Sequence, residues 1–352
     1  MRGQHLRRRR RPRRPGAHRR PPALLSEVTT TSPGPTVGVD LGGTKLLGAL
    51  VGEAKGDEVP VLAERRVPTP HGAEAIVDAV VGLWDELSVT EPKPVALGIG
   101  APGLVDRSGR LRFAPNLPGV SELELGPLMR SRVGGVPVAV ENDATCAGWG
   151  ERTHGAGRGA DDVVVVTLGT GIGGGIVSGG RLLLGASGFA GEVGHMVVDP
   201  AGPECPCGKR GCWERFASGS GLGWLARQEA LSGRARRVVE LAGGDIDAVR
   251  GEDVTTAAAE GDADARAVID TFGWWLAVGL ANLTNIFDPG IIVIGGGLIE
   301  AGELLLAPAR AAFHGLVEGA DHRPPVPIVA AQLGERAGAI GAAGRAAMLL
   351  GP

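Results

Sequence analysis

Apolar residues form short runs in some parts of the chain and a helical repeat in others. Short β-branched and apolar runs predict strands over residues 36–39, 46–51, 95–100, 136–140, 163–168, 175–177, 181–184 and 291–294. Apolar positions three and four residues apart predict a helix over 73–87, and helices are also expected over 144–151, 272–287 and 335–349. Strands that alternate with helices are typical of an α/β protein.

Two of the predicted strand pairs are each joined by a glycine-rich turn, and about 130 residues separate the two turns. The first turn spans Asp40–Lys45, and the second spans Gly169–Gly174. Glycine tolerates the backbone conformations that tight turns require, so both segments predict β-hairpins. Because the same unit occurs twice, the pattern indicates two similar lobes.

The composition is that of a folded protein with a sizeable core. Gly accounts for 60 of the 352 residues, hydrophobic residues for 43% and charged residues for 21%. These values exclude an intrinsically disordered chain, and the lack of a G-X-Y repeat excludes collagen. The sequence has no run of about 18 apolar residues, so a membrane span is not expected.

The charge is distributed unevenly along the chain. Residues 1–34 contain ten Arg, no Lys and a single acid, Glu27, whereas the remaining residues hold 26 basic and 38 acidic side chains. The acidic body argues against nucleic-acid binding, because phosphate contacts need a basic face. The Arg- and Pro-rich lead over 1–34 is predicted to be disordered. It is interpreted as a flexible lead or a mistaken start codon, and a polyanion-binding arm and a targeting peptide are the alternatives.

Cysteines and one histidine form a candidate metal site. Cys205, Cys207 and Cys212 fall together with His195 within 18 residues. One imidazole and three thiols are the ligand set of a closed tetrahedral zinc site, and a loop rich in Gly and Pro has little apolar surface with which to fold alone. A structural zinc loop is therefore predicted over 195–212, with three reduced surface thiols as the alternative. Without a secretory signal, a reducing, cytoplasmic location is expected.

The first glycine turn has the composition of a phosphate-binding loop, since backbone N–H groups can approach an anion closely where no Cβ intervenes. The candidate ligands are Gly42, Gly43, Thr44 and Lys45. Asp40 could hold a water of a Mg²⁺ ion. A purely structural hairpin with a solvated Lys45 remains the alternative.

The second glycine turn, with Gly169, Thr170 and Gly171, matches the pattern G-x-G-x-x-G. A dinucleotide-binding fold would need a helix at the third glycine, whereas the residues that follow predict a strand. The dinucleotide interpretation is therefore rejected, and a phosphate-binding turn is retained.

Carboxylates supply the remaining candidate chemistry. Asp143 follows the strand predicted over 136–140, and it could take a proton from a substrate hydroxyl while Asn142 binds a neighbouring one. Alternatively, either residue could serve as the N-cap of the helix predicted next. Glu192 and Glu214 flank the cysteine loop, where they could bind sugar hydroxyls or be ordinary surface acids.

Together these motifs resemble the ROK family (repressor, open reading frame, kinase) of the actin-like ATPase superfamily, and most closely its actinobacterial glucokinases. The resemblance covers about residues 36–349. It is carried by the segments Val39–Lys45, Glu141–Ala144, Leu168–Gly175, Gly191–His195, Cys205–Glu214 and Val293–Gly297.

The resemblance implies an α/β, two-lobed actin-like ATPase (ribonuclease H-like) fold with a structural zinc loop. The small N-terminal lobe would comprise residues 35–140 plus 335–352, and the large lobe 141–334. The implied reaction is the ATP-dependent phosphorylation of a hexose at its 6-hydroxyl, with glucose as the expected substrate and Mg²⁺ bound with ATP.

The resemblance also implies a role for individual residues. Asp143 would be the catalytic base, and His195 would bind zinc through one ring nitrogen and a sugar hydroxyl through the other. The sugar-binding residues would be Gly103, Asn116, Asn142, Asp143, Glu192, His195 and Glu214. The nucleotide-binding residues would be Asp40, Gly42, Gly43, Thr44, Lys45, Gly169, Thr170, Gly171, Gly295, Gly296 and Gly297.

Several alternatives stay open. After Asn116 the chain continues Leu117-Pro118-Gly119, where glucokinases often carry an aromatic residue, which bears on sugar preference. An N-acetylmannosamine kinase or another hexose kinase is the first alternative, and a sugar-responsive repressor or a sugar sensor is the second. A homodimer or homotetramer is expected, without membrane or nucleic-acid partners.

Overall fold

The computed structural model describes residues 34–54 and 59–351. Apart from Gly34, the predicted Arg- and Pro-rich lead lies outside the described residues. The strands are β1 (Thr36–Leu41), β2 (Lys45–Val51), β3 (Val61–Pro68), β4 (Ala96–Ala101), β5 (Leu104–Val105), β6 (Leu111–Phe113), β7 (Ser121–Leu123), β8 (Val138–Asn142), β9 (Val163–Leu168), β10 (Ile172–Ser178), β11 (Arg181–Leu182), β12 (Ile291–Gly295) and β13 (Ile328–Ala330).

Helices connect and cover these strands. They are α1 (Ala73–Ser88), α2 (Leu125–Arg132), α3 (Asp143–His154), α4 (Glu214–Ala217), α5 (Gly219–Leu231), α6 (Arg236–Leu241), α7 (Gly251–Glu260), α8 (Ala263–Phe287), α9 (Glu303–Phe313) and α10 (Ala337–Ala347). Within the described parts of the chain, no helix combines the length and hydropathy needed to cross a membrane.

Two five-stranded sheets share one topology. Their strand orders are β3-β2-β1-β4-β8 and β11-β10-β9-β12-β13. In the first sheet β1 pairs antiparallel with β2 and parallel with β4, and in the second sheet β9 pairs in the same way with β10 and β12. The repeated unit expected from the two glycine turns is therefore present, and the predicted α/β class is confirmed.

Each sheet has its own apolar core. The core of the first sheet forms between its strands and the helices α1 and α2, with Trp84 and Leu97 among its buried members. The core of the second sheet is larger, because the helices α4 to α9 cover it, and it includes Trp213 and Phe272. A small third sheet, β5-β6-β7, lies between β4 and α2 in the sequence.

The helices α3 and α10 follow the last strand of each sheet, β8 and β13, and they pack closely against one another. The helix α10 also lies against β1 and β4. A Cβ on Gly98 of β4 would lie 1.8 Å from the carbonyl oxygen of Ala342, so only glycine permits this approach. The chain thus crosses between the two sheets twice, once at the start of α3 and once just before α10.

Most predicted elements are present, with shifted ends. The strand predicted over 136–140 is observed at Val138–Asn142, because Pro137 has no N–H to donate to the ladder. The helix predicted over 272–287 begins earlier, at Ala263, where the Asp262 side chain accepts a hydrogen bond from the Ala265 N–H at 2.8 Å. The strand β3 was not predicted, since its residues are mostly polar and partly exposed.

Candidate active site

A cavity of about 200 Å³ is lined by residues of both sheets and of both crossings. Asp40 comes from β1, Asp143 from the first turn of α3, and Gly295 and Gly296 from the end of β12. Its other lining residues are Ala144, Ala147, Glu151, Val165, Thr167, Ala331, Gly334, Glu335, Ala337 and Gly338. The cavity therefore brings together four residues singled out from the sequence.

Asn142 and Asp143 have different structural roles at the start of α3. Asn142 is the N-cap, and its Oδ1 accepts a hydrogen bond from the Thr145 N–H at 3.0 Å. Asp143 is the first helical residue, and its Oδ1 accepts from the Ala144 N–H at 2.7 Å. Because Asn142 is the N-cap of α3, the Asp143 side chain is not needed to cap this helix.

Burial governs the charge of both aspartates at the cavity. It raises the pKa of Asp143 above its ordinary value, against the opposing effect of the Ala144 hydrogen bond. Burial and the nearby Asp143 raise the pKa of Asp40 to about 7, although Lys45 opposes the shift. A carboxylate whose pKa approaches neutrality is a better proton acceptor than an ordinary one, and two half-buried carboxylates that repel one another in one cavity favour a bound cation.

The first glycine turn is exposed and carries a cation. The Lys45 ammonium lies 2.5 Å from Glu335 Oε1, and Arg66 contacts Glu335 Oε2 at 2.8 Å. The backbone of the turn is held by Thr69, whose hydroxyl donates to the Gly42 carbonyl at 2.6 Å and whose N–H donates to the Thr44 carbonyl at 3.0 Å. Lys45, which was predicted to bind phosphate and in the alternative interpretation is solvated, lies in an exposed ion pair.

Two predicted sugar-binding positions lie beside this turn or beside α3. A Cβ on Gly43 would lie 3.2 Å from the carbonyl oxygen of Asn116, so the two loops are in close contact. Gly103 has a φ of +90°, and its carbonyl oxygen accepts a hydrogen bond from Asn142 Nδ2 at 3.1 Å. The Asn142 side chain therefore has two backbone partners, and it also hydrogen-bonds the neighbouring Asp143 carboxylate.

The second glycine turn carries no charge and is braced by the start of α5. The Gly169 carbonyl accepts from the Gly219 N–H at 2.8 Å, and the Thr170 carbonyl accepts from the Ser220 hydroxyl at 2.7 Å. As predicted, a strand rather than a helix follows this turn. Gly169 itself borders open space, since no atom lies within 4 Å of the place a Cβ would take.

Glu214 connects this turn to the cysteine cluster. A Cβ on Gly171 would lie 2.6 Å from Glu214 Oε2. The other oxygen, Oε1, lies 3.0 Å from Cys205 Sγ and 3.6 Å from His195 Nδ1. On the other side of the ring, His195 Nε2 lies 3.9 Å from Glu192 Oε2. The two predicted acids therefore flank His195 on opposite sides.

Electrostatics extends this group to Asp143. Burial raises the pKa of Glu192, and the negative charges of Asp143 and Glu214 add to the effect while His195 opposes it. Charges that interact in this way lie near one another. Glu192, His195 and Glu214 thus form one polar group whose charge interacts with that of Asp143, and 38% of the Glu192 side chain is exposed.

The predicted metal ligands are assembled as one cluster. The ligand atoms of His195, Cys205, Cys207 and Cys212 all lie within 4.8 Å of one another. Cys205 Sγ is 3.8 Å from His195 Nδ1, and Cys207 Sγ is 3.6 Å from Cys212 Sγ. Tetrahedral zinc with Zn–S bonds of about 2.3 Å places its ligand atoms at about this spacing, so the residues fit a zinc ion. Burial raises the pKa of Cys205 and Cys212, so these thiols need a cation to ionise at neutral pH.

The third glycine segment, Gly295–Gly297, ends β12. Gly296 adopts a φ of +85°, and a Cβ there would lie 2.4 Å from the carbonyl oxygen of Leu168. This contact brings the segment next to the second glycine turn. Gly297 borders open space, so the backbone at this point can be approached by a ligand.

Three charged residues of the site were not predicted. Glu335 pairs with Lys45, Glu141 pairs with Arg345 at 2.8 Å, and Glu151 is 1% exposed and accepts hydrogen bonds from backbone N–H groups. Nothing in the residue pattern distinguishes these acids from surface acids. Each of them has a partner 180 or more positions away in the chain, so only the fold reveals these contacts.

The chain is similar to characterised sugar kinases over most of its length. The model of the ROK family matches residues 36–347. The chain is 42% identical over 313 residues to a glucokinase of Streptomyces coelicolor, which covers 88% of this chain and 96% of that protein. It is 34% identical over 317 residues to an N-acetylmannosamine kinase of Escherichia coli, which covers 88% of this chain and 97% of that protein.

A solved structure resembles the fold closely. A ROK family glucokinase from Streptomyces griseus, in complex with glucose and AMPPNP, superposes with a TM-score of 0.77 at 41% identity, over 90% of this chain and 100% of that chain. The similarity extends over both sheets, so the cavity described above lies within the matched part.

Proposed function

The chain belongs to the ROK family, and we propose that it is a glucokinase that transfers the terminal phosphoryl group of ATP to the 6-hydroxyl of glucose. The observation that carries this proposal is the cavity in which Asp143 and Asp40 meet Gly295 and Gly296. Phosphoryl transfer to an alcohol needs a positioned base and groups that stabilise phosphate charge, which Asp143 and the glycine-lined backbone can supply. The similarity to glucokinases at 42% and 41% identity supports glucose as the acceptor.

Asp143 is the proposed base. Its carboxylate would accept the proton of the sugar hydroxyl while the hydroxyl oxygen bonds to the terminal phosphorus and the bond from phosphorus to the ADP oxygen breaks. Burial raises the pKa of Asp143 and so prepares it to accept this proton. The hydrogen bond from the Ala144 N–H keeps the carboxylate oriented.

The backbone of Asp40–Lys45, Gly169–Gly171 and Gly295–Gly297 would bind the nucleotide. Exposed N–H groups of glycine turns can surround phosphate oxygens without side-chain interference. The Mg²⁺ that accompanies ATP would offset phosphate charge, and Asp40 fits as a carboxylate near it, since its pKa of about 7 marks a buried acid short of positive charge.

The sugar would be bound by the polar group around His195. Glu192 and Glu214 offer hydrogen-bond acceptors, Asn142 lies beside Asp143, and Gly103 and Asn116 lie on adjoining loops. Zinc at His195, Cys205, Cys207 and Cys212 would hold this loop in shape. All four positions would be taken by protein ligands, so the metal would be structural. Thiolate ligands also support the predicted cytoplasmic location, since they need a reducing compartment.

A closing of two lobes around the substrates completes the proposal. The shared strand order of the two sheets is consistent with the actin-like ATPase fold. Lobes over 35–140 plus 335–352 and over 141–334 remain a prediction, although β8 of the first sheet extends past residue 140 to Asn142. An assembly of two or four copies remains a prediction, which light scattering on the purified protein would test.

The experiment that tests the function is a substrate panel. Purified protein is supplied with ATP and Mg²⁺ and with glucose, mannose, N-acetylmannosamine, fructose or allose, and ADP release is measured. The highest kcat/KM is expected for glucose. Phosphorylation of none of these sugars would refute the kinase proposal. Repeating the glucose assay with polyphosphate establishes the donor.

An N-acetylmannosamine kinase is the second candidate, because the Escherichia coli relative with this activity is 34% identical. The same panel separates the two. A kcat/KM for N-acetylmannosamine above that for glucose would replace the glucokinase proposal without affecting the assignment of Asp143.

Metal analysis tests the zinc site. About one zinc per chain is expected. In the Cys212→Ser variant the metal content should fall below half, and KM for glucose should rise about tenfold, because His195 and Glu214 lose their fixed positions. Cys146→Ser is the matched control, since Cys146 is buried in α3 and lies outside the cluster. A protein that is fully active without metal would exclude the structural role.

A further inference from the structure

Glu151 has an environment that the proposed mechanism does not use. It lies near the end of α3, two turns after Asp143, and its side chain is buried with 1% exposure. Its Oε1 accepts from the Leu333 N–H at 2.8 Å and from the Gln332 N–H at 3.1 Å. Its Oε2 accepts from the Ala156 N–H at 2.9 Å and also lies 3.1 Å from the Gln332 N. A buried carboxylate with only backbone N–H partners is held as an acceptor on both oxygens.

These partners belong to the two places where the chain crosses between the sheets. The first crossing runs from β8 into α3, which carries both Asp143 and Glu151. The second runs from β13 to α10 through residues 331–336. The Ala331 N–H donates to the Ile294 carbonyl at 2.8 Å, so this crossing begins against β12. Glu151 therefore ties the second crossing to the helix that carries the base.

The tied segment forms one wall of the cavity. Gly334, Glu335 and Gly338 follow Leu333 directly and line the cavity together with Gly295 and Gly296. Glu335 also contacts the Lys45 ammonium of the first glycine turn. A displacement of residues 332 and 333 would thus move the wall that faces Gly295 and Gly296, while His195, Glu192 and Glu214 lie on other segments.

We propose that Glu151 is a positioning residue for the nucleotide, which fixes residues 332–335 relative to Asp143 through its two carboxylate oxygens. This inference rests on the proposed kinase function. Glu151 lines the cavity, but both of its carboxylate oxygens accept from backbone N–H groups, so its role is to position the wall and not to bind substrate. It sets the spacing between the base and the cavity wall, so its loss affects the affinity for ATP more than the affinity for glucose.

The Glu151→Gln variant tests the inference with little change in shape. An amide keeps one acceptor oxygen, but its NH₂ group must face a backbone N–H in either orientation, which removes one bond and adds a repulsion. KM for ATP should rise about tenfold, the size of one lost charge-assisted hydrogen bond. KM for glucose should stay within about twofold of the wild type.

Asp264→Asn is the matched control. The Asp264 Oδ2 also accepts a backbone N–H, that of Ala235 at 2.8 Å, but it lies in α8 and outside the cavity lining. This variant should lose stability without any change in either KM. If Glu151 has only a structural role, the two variants will behave alike, and the proposal is overturned.

Amide hydrogen exchange of the nucleotide-free protein provides a second readout that does not depend on activity. In Glu151→Gln, exchange at Gln332 and Leu333 should become at least tenfold faster, with that of β9 and β12 unchanged. Unchanged exchange at these two amides would refute the tie whether or not the protein is a kinase. An inactive wild type with faster exchange in the variant would instead refute the kinase function and leave the tie in place.

Discussion

The two halves of the molecule share a strand order but differ in chemistry. In the first half the glycine turn ends in Lys45 and is preceded by the buried Asp40, and the helix after the last strand begins with Asp143. In the second half the glycine turn is uncharged, and the crossing helix α10 begins at Ala337 and Gly338. A Cβ on Gly338 would lie 2.7 Å from the Asp40 Cγ, so this helix makes room for a carboxylate instead of supplying one.

The two copies of the same strand order therefore contribute different chemical groups to the site. The first half brings charged groups to the cavity at a cost in folding free energy, since burial opposes their ionisation. The second half brings an uncharged glycine turn braced by Gly219 and Ser220, and its charged residues Glu192 and Glu214 lie outside the cavity lining. Duplicated topology therefore does not imply duplicated function, and variants that alter one half should have effects that the other half cannot reproduce.

The largest effect is expected when the charge at the start of α3 is removed. Asp143→Asn should lower kcat by about 10²–10⁴-fold, the usual size of the loss of a general base. The fold should persist, because Asn142 remains the N-cap of α3. Steady-state kinetics with glucose and ATP measures the loss, and thermal unfolding verifies the fold.

Asp262→Asn is the control for this prediction, since Asp262 is the N-cap of α8 and lies outside the cavity lining. The Asp262→Asn variant should retain full turnover.

In the wild type, kcat/KM should decline towards acid pH with an apparent pKa above 3.8, because the pKa of Asp143 is raised and the base works only when deprotonated. Unchanged turnover in Asp143→Asn would remove Asp143 from the mechanism.

The next largest effect is on stability. Asp40→Asn removes the carboxylate that precedes the first glycine turn, and the second turn has no charged side chain either. The pKa of Asp40 is about 7 in the folded protein and 3.8 as its ordinary value, so the folded state binds this proton more tightly than the unfolded state does. The resulting stabilisation is complete below pH 3.8 and is lost as the pH rises through about 7. Asp40→Asn should therefore raise the free energy of unfolding at pH 8 by about 1–4 kcal/mol.

Urea unfolding at pH 8 and at pH 3.5 measures this difference. The gain of Asp40→Asn should vanish at the lower pH, where both states of the wild type are protonated. The same variant should bind ATP and Mg²⁺ more weakly, since it lacks the carboxylate near the phosphates. A stability gain of equal size at both pH values would contradict the assignment of the effect to ionisation.

The sequence predicted local motifs better than it predicted contacts between residues that are far apart in the chain. Both glycine turns and the cysteine cluster depend on neighbours in the chain, so the residue pattern was sufficient to place them. A strand after the second glycine turn was predicted for the same reason, but β10 begins at Ile172, within the predicted turn Gly169–Gly174, because its glycines pair with β9.

Long-range relations were beyond the residue pattern. Glu151 lies in a predicted helix, but its acceptor bonds to residues 332 and 333 depend on how two sheets pack. Glu335 and Lys45 are 290 positions apart and meet only because α10 returns to β1. Which of Asn142 and Asp143 is the cap was also open, since both are good N-cap residues and only the backbone dihedrals decide.

A smaller effect should separate the two roles within the second turn. In Gly171→Ala the new methyl group would meet Glu214 Oε2 at 2.6 Å and displace that side chain. KM for glucose should rise about tenfold, because a hydrogen bond to a charged group is lost or weakened. In Gly169→Ala the methyl group meets no protein atom, but it enters the space where a phosphate would lie, so KM for ATP should rise instead.

Steady-state kinetics with each substrate varied in turn tests this pair of variants. Zinc content should remain near one per chain in both, which excludes an indirect effect on the cysteine loop. If Gly171→Ala changes KM for ATP and not KM for glucose, Glu214 is not a sugar ligand, and the neutral turn serves the nucleotide alone.

The smallest effect concerns the exposed ion pair of the first turn. The Lys45 and Glu335 side chains are 50% and 52% exposed, so solvent screens their attraction. A nucleotide phosphate that binds at Lys45 competes with Glu335, which retains Arg66 as a second partner at 2.8 Å. Glu335→Gln should therefore lower KM for ATP about twofold to threefold, and Lys45→Gln should raise it by a similar factor.

Both changes in KM should become smaller between 0.05 and 0.5 M salt as the Debye length falls, whereas the effect of Gly169→Ala, which is steric, should not. Salt-independent changes would show that Lys45 acts by shape and not by charge.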